Sequence, residues 1–318
     1  MTATATAPAT ATAATNPTSL EHPAFLVNAP FSYNTDVPNN AWMHDLPDHE
    51  RRADPKRSMA QFLELYRTLS ADGLVYVLPT PARTGLQDLV FTANLGIVLE
   101  HLPDQNTVVL SRFSEPTRKA ETTVGAQFFE SMGYQVHHCP HDFEGEAELK
   151  HLHDNVYIGG HGTRSSPEAH EWMQHQFDMN IIPLHMTNPY LYHLDCSIFP
   201  LNREQTLVCT DEYTDEELRN LDKHTEIIPV STDTAMSGIC NTVRLHNTLL
   251  NASNIHQLTA GTEDYEHELT KNRALEDIAT RTGLEVNLFN LDEYMKGGAL
   301  LSCMVMHLNR RSYDFVLF

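Results

Sequence analysis

Cys303 closes the run Gly297-Gly298-Ala299-Leu300-Leu301-Ser302-Cys303, just behind a glycine pair. A thiolate is the most ready nucleophile a protein carries at neutral pH. On its own such a cysteine reads more readily as a small buried hydrophobe than as a nucleophile. His193-Leu194-Asp195 adds a second group with chemistry. On a strand, residues two apart face one side, so imidazole and carboxylate would project together. A neighbouring carboxylate favours the imidazolium, which can protonate a leaving amine and then activate water.

A third feature is the loop Asp142-Phe143-Glu144-Gly145-Glu146-Ala147-Glu148, with acids at alternate positions. Paired carboxylates such as Glu144 and Glu148 suit a flat guanidinium cation, which offers five donors in a planar fork. A solvated acidic turn is the other reading of the same residues. Asn40 and Asn94 fall at turn-like positions, and Arg118 and Arg164 are cations on loops. Of the 19 histidines, His137, His138 and His141 surround Cys139. Their spacing matches no structural zinc pattern and H-E-x-x-H is absent, so neither a metal nor a cofactor is expected. G-x-G-x-x-G, P-loop and G-x-S-x-G patterns are also missing.

These residues need a frame that gathers distant loops. The chain has 318 residues, 41% of them hydrophobic, which is enough for a real core. Residues 1–20 read as a disordered Ala/Thr/Pro-rich tail, and residues 21–318 as one catalytic α/β domain. Helical spacing marks residues 58–69, 125–132, 168–177, 214–221, 242–250 and 265–281. Strand patterns mark 74–78, 97–99, 134–136, 156–158, 191–198, 284–289 and 301–308, the fifth of these carrying His193 and Asp195. Helix-plus-strand units recur roughly every 50 to 60 residues, without visible identity between them.

The formal net charge is -21, from 21 Lys+Arg and 42 Asp+Glu. Such a surface repels phosphate backbones and anionic lipid, so nucleic acid and membrane are not expected as partners. No apolar run is long enough for a membrane span. Five cysteines without a C-x-x-C pair point to a reducing cytoplasm. A small-molecule substrate is the expected partner. The sequence is compatible with a homo-oligomer.

Taken in order, the Phe-Thr-Ala-Asn segment ending at Asn94, the Phe-Glu-Gly loop, the Gly-x-Gly-x-Arg-Ser turn around Arg164, His-Leu-Asp and the late Gly-Gly…Cys resemble the guanidino-group-modifying superfamily. This resemblance implies an α/β-propeller, or pentein, of five ββαβ-like units with its site in the central channel. Within the superfamily the chain looks most like the arginine dihydrolases, which carry Asn at the position of Asn94. Their Asn-Pro-Trp-Met is similar to Asn40-Ala41-Trp42-Met43, and their Cys-Asn-Ala-Val to Cys240-Asn241-Thr242-Val243.

The implied roles are Cys303 as nucleophile, His193 oriented by Asp195 as acid and base, and Glu144 and Glu148 as guanidinium ligands. Arg118 would hold the substrate α-carboxylate bidentately and Asn40 would assist at the α-amino or ureido end. Deiminase, methylarginine hydrolase, amidinotransferase and a non-catalytic relative are the alternatives on the same scaffold. One departure stands out: the family's Phe-Glu-Gly-x-Gly-Asp has Ala147 for its second glycine and Glu148 for its aspartate.

Overall fold

The computed structural model describes residues 16–82 and 85–315. Among these, the strands form five three-stranded sheets. The sheet of Gly96–Val98, Thr107–Leu110 and Gln135–His138 shows the plan. Its first strand is antiparallel to the second. Helix Glu121–Ser131 then carries the chain back to a third strand parallel to the second. A parallel neighbour needs such a crossover, because a tight turn can only reverse the chain. The plan repeats with helices Pro167–Phe177, Asp215–Leu221 and Glu263–Thr282.

The fifth sheet joins the two ends of the chain. Ala24–Val27 runs parallel to Leu74–Val77 after helix Pro55–Asp72. Its antiparallel neighbour is Met306–His307, with Phe25 opposite His307. This closes the five-unit α/β-propeller that the resemblance implies. Phe25 and Leu26 in the closing sheet are fully buried. Truncating the phenylalanine to alanine would cost about 3–5 kcal/mol.

Burial explains how the propeller builds a site. The first strand is fully buried in most units, as in Gly96–Val98, Ile198–Pro200 and Val243–Leu245. The third strand is partly exposed at the rim, as in Gln135–His138 and Glu226–Val230. The chain therefore enters each unit from the interior, through a short turn. Those turns are Thr92–Leu95, Gly145–Ala147, Leu194–Cys196, the loop at Asn241 and Ser302–Met304. Each carries or adjoins a candidate site residue.

Four expectations need correction. Residues 191–198 are not one strand: His193 is extended (φ -117°, ψ 152°) and caps the tight turn Leu194–Cys196. Residues 242–250 are not a helix but the strands Val243–Leu245 and Thr248–Ala252, with His246 turning the chain at φ +52°. Strands buried on both faces lose the alternation that betrays a strand, so a short apolar run imitates a helix. Residues 301–308 likewise split into the turn Ser302–Met304 and the strand Met306–His307. The tail reading on residues 1–15 lies outside the described residues. Residues 16–18 are packed: Thr18 is buried and its hydroxyl meets the Tyr134 hydroxyl at 2.7 Å.

Candidate active site

Gly145 makes the acidic loop possible. It has φ +63°, and a Cβ there would lie 2.5 Å from the Ala93 carbonyl oxygen. Only glycine allows the acidic turn to pack so closely on the Asn94 turn. Ala147 needs no left-handed backbone, so loss of the family's second glycine carries no strain. Within this turn the acids separate. Glu146 faces away, accepting from His307 at 3.0 Å and Arg310 at 2.7 Å. Glu144 and Glu148, both fully buried, face the centre with His193 and Asp195.

Glu144 Oε2 meets His193 Nε2 at 2.8 Å. Its carboxylate also lies 3.6 Å from Arg164 Nη1 and 3.9 Å from Arg118 Nη1. Burial pushes the Glu144 carboxyl up, but His193 and the two guanidinium groups outweigh burial and hold it at about 2. Burial draws the His193 imidazolium down, against the pull of Glu144. Asn94 Nδ2 lies 3.4 Å from each ring nitrogen of His193.

Asp195 is not the partner of His193. It turns the other way, accepting from the Ser302 hydroxyl at 2.6 Å and approaching Cys303 Sγ at 3.5 Å. The tight turn at Leu194 causes this, since it removes the same-face relation a strand would impose. Asn241 completes the surround of the thiol, with Nδ2 3.5 Å from Sγ and Oδ1 accepting from the Ser302 amide at 2.8 Å. Cys303 is 4% exposed. Burial and the Asp195 charge push its thiol up to about 12.

A cleft reaches Cys303 and Asn241 from outside, walled by Trp42, Tyr190, Met236, Met295 and Leu300. Arg118 lies against this centre, but Nε and Nη2 form a fork with Glu121 at 3.0 and 2.8 Å. The fork is thus engaged by Glu121, and Nη1 is the group toward Glu144. Arg164 stacks its guanidinium over the Tyr192 ring at 5.0 Å and donates to the Asn39 carbonyl.

Asn40 also departs from expectation. Its Oδ1 accepts from the Met43 amide at 3.0 Å, and its Nδ2 donates to the Gly297 carbonyl at 3.0 Å. It caps helix Ala41–Asp45 and clips it to the glycine pair, so both ends of its amide are used. Glu148 contacts the Leu194 amide at 3.3 Å.

Sequence reasoning missed Ser302, Tyr192 and Glu121. The hydroxyl of Tyr192 holds the Gly298 carbonyl at 2.8 Å, and adjacency to His193 and Cys303 was the available signal for Tyr192 and Ser302. Among the described residues, no group of three or more His, Cys, Asp or Glu side chains converges as a metal site. In the same residues, no helix is long and apolar enough to cross a membrane.

The Glu144 geometry predicts how stability follows acid. A depressed carboxyl stabilises the fold above its ordinary value of 4.5, and that contribution is lost as pH falls toward 2. Glu100 and Glu146, both paired with Arg310, behave likewise. Protons taken up on unfolding between those pH values should fall by about one in Glu144→Gln. Denaturant titrations across that range measure the change, and an unaltered slope would contradict it.

Five sheets closed around one axis, with a cysteine, a histidine and carboxylates brought together on their entry turns, define a pentein. The family model for eukaryotic N,N-dimethylarginine dimethylhydrolase matches residues 28–310. The chain belongs to that family. It is 27% identical over 298 residues to the bifunctional arginine dihydrolase/ornithine cyclodeaminase AgrE of Nostoc sp.. It is 26% identical over 289 residues to the protein of the same description, ArgZ, of Synechocystis sp.. These matches cover 92% and 89% of this chain but 38% and 37% of those relatives.

A dimethylarginine dimethylaminohydrolase of Mycobacterium tuberculosis is 29% identical over 163 residues, covering 51% of this chain and 50% of that one. The crystal structure of unliganded AgrE superposes with a TM-score of 0.77 at 26% identity, covering 90% of this chain and 39% of that one. The N-terminal domain of ArgZ, solved covalently bound to a reaction intermediate, matches at 0.77 and 24% identity, covering 90% and 97%.

Proposed function

We propose that this protein is an arginine dihydrolase, converting arginine to ornithine, carbon dioxide and two ammonia through a covalent bond to Cys303. The observation that carries the reading is the Cys303 thiol lying 3.5 Å from both Asp195 and Asn241, in the same closed centre as the Glu144–His193 pair. The sequence likeness to AgrE and ArgZ, over 92% and 89% of this chain, supports arginine as the guanidino compound.

In the free enzyme the Asp195 charge works against a Cys303 thiolate. A guanidinium bound beside it reverses that local field, so the substrate itself favours the nucleophile. The thiolate attacks the guanidinium carbon. His193, supported as imidazolium by Glu144, protonates the departing ammonia. Water, deprotonated by His193, then attacks the amidino-thioether and the thiolate leaves, giving citrulline. In a second cycle the urea carbon is attacked and ammonia leaves again. Hydrolysis of the resulting thiocarbamate releases a carbamate that loses carbon dioxide to give ornithine.

Arginine supplied to the purified protein should yield two ammonia per ornithine, with citrulline remaining a minor species by chromatography. Stable citrulline with one ammonia would replace this reading by a deiminase. Dimethylamine from dimethylarginine, with arginine left unchanged, would replace it by the methylarginine hydrolase.

A further inference from the structure

Glu148 is a buried acid that the proposed chemistry leaves without a task. It is fully buried, and its Oε2 accepts from the Leu194 amide at 3.3 Å. Its other oxygen has no hydrogen-bond partner. Arg118 and Arg164 direct their charges at Glu144 instead, and among the described residues no cation pairs with Glu148. Leu194 lies between the two residues whose directions matter most, since His193 turns to Glu144 and Asp195 to Cys303.

We propose that Glu148 is a positioning residue, a neutral acid that holds the Leu194 amide and so fixes the divergence of His193 and Asp195, and not a guanidinium ligand. The inference rests on the dihydrolase reading for its kinetic arm only. An unpartnered oxygen in a dry site is far less costly on a neutral acid than on a carboxylate. The groups facing Glu148 agree. Burial and then Glu144 push its carboxyl well above the usual carboxylate range, and Asp195 adds to this. The Leu194 amide and Arg164 oppose them without prevailing.

A Cβ on Gly160 would stand 2.6 Å from Glu148 Oε2 and 3.0 Å from Leu194 Cβ. Gly160 therefore leaves room for the Glu148 carboxyl beside the Leu194 turn. Gly160 also donates its amide to the Glu148 carbonyl at 2.8 Å, so the two positions are fixed to each other.

Three variants test the assignment. Glu148→Ala should lower kcat about 10- to 100-fold with little change in KM, because the acceptor for Leu194 is lost. Glu148→Gln keeps a carbonyl acceptor without charge and should restore kcat and KM to within about threefold of the wild type. Gly160→Ala should lose activity as Glu148→Ala does. If Glu148→Gln raises KM more than tenfold, Glu148 binds the guanidinium as a carboxylate and the proposal fails. A silent Glu148→Ala overturns it as well.

An infrared comparison of wild type and Glu148→Gln at neutral pH requires no turnover. The wild type should show a protonated carboxyl stretch that the variant lacks. Absence of that band refutes the neutral acid even if arginine proves not to be the substrate, which separates this failure from that of the functional reading.

Discussion

Cys303→Ser should abolish turnover of arginine, lowering kcat by at least about 10⁴-fold, while arginine still binds within several-fold of its wild-type affinity. The thiol is 4% exposed and lies 3.5 Å from Asp195 Oδ2 and from Asn241 Nδ2. A hydroxyl can occupy the same place and keep the polar contacts, so the pocket survives. What it cannot do is ionise. Burial and Asp195 already hold the thiol up at about 12, and an alcohol starts several units higher. The bound cation can offset one such penalty but not both, and covalent catalysis is lost.

Two measurements separate this from a folding defect. Acid-quenched wild type mixed with arginine should show an intact mass raised by a single adduct, and the serine variant should show none. Calorimetry should still detect arginine binding to the variant. Serine activity above about 1% of wild type would remove Cys303 from the nucleophile's role. In the free wild type, iodoacetamide should label Cys303 slowly at neutral pH and faster as pH rises, because the thiol and not the thiolate is the resting form.

Much of this site could be read from residue order. The turns that hold Asn94, Glu144, His193 and Cys303 each carry a short polar signature, and five units gave the chain its rhythm. What could not be read was direction. His193 and Asp195 stand two apart, and a strand would align them. The turn at Leu194–Cys196 sends one to Glu144 and the other to Cys303. Partnership was equally hidden for Arg118. Nothing in Arg118-Lys119-Ala120-Glu121 separates a surface cation from one whose fork is filled by a buried Glu121.

The inner strands were hard to see for a different reason. Val243–Leu245 and Ile198–Pro200 are short and buried on both faces, so neither alternation nor length distinguishes them. The closing strand Met306–His307 has only two residues, and its partner Ala24–Val27 lies at the opposite end of the chain. Pairing at that separation is a property of the closed ring and leaves no local trace. The five entry turns become one site only once that ring is complete.

Asn94→Asp should change what the enzyme makes. Asn94 is buried, and its Nδ2 stands 3.4 Å from each ring nitrogen of His193, facing the same space as Glu144. An amide presents both a donor and an acceptor, so it can meet first a guanidinium N–H and then a urea oxygen. A carboxylate only accepts. For arginine it adds attraction, and the first cycle should proceed. For citrulline it sets a negative oxygen against a carbonyl in a closed site that already holds the Glu144 and Asp195 carboxylates. A polar contact left unmade in such a place costs about 1–3 kcal/mol, or about 5- to 150-fold in the second cycle. The variant should therefore release citrulline and one ammonia, with ornithine reduced by about that factor, while arginine consumption falls much less. Quantifying citrulline and ornithine from the same reaction decides it. If the Asp variant still delivers ornithine with two ammonia at the wild-type ratio, control of the second hydrolysis lies with Asp195, Asn241 or the cleft beside Cys303, and Asn94 has no part in it.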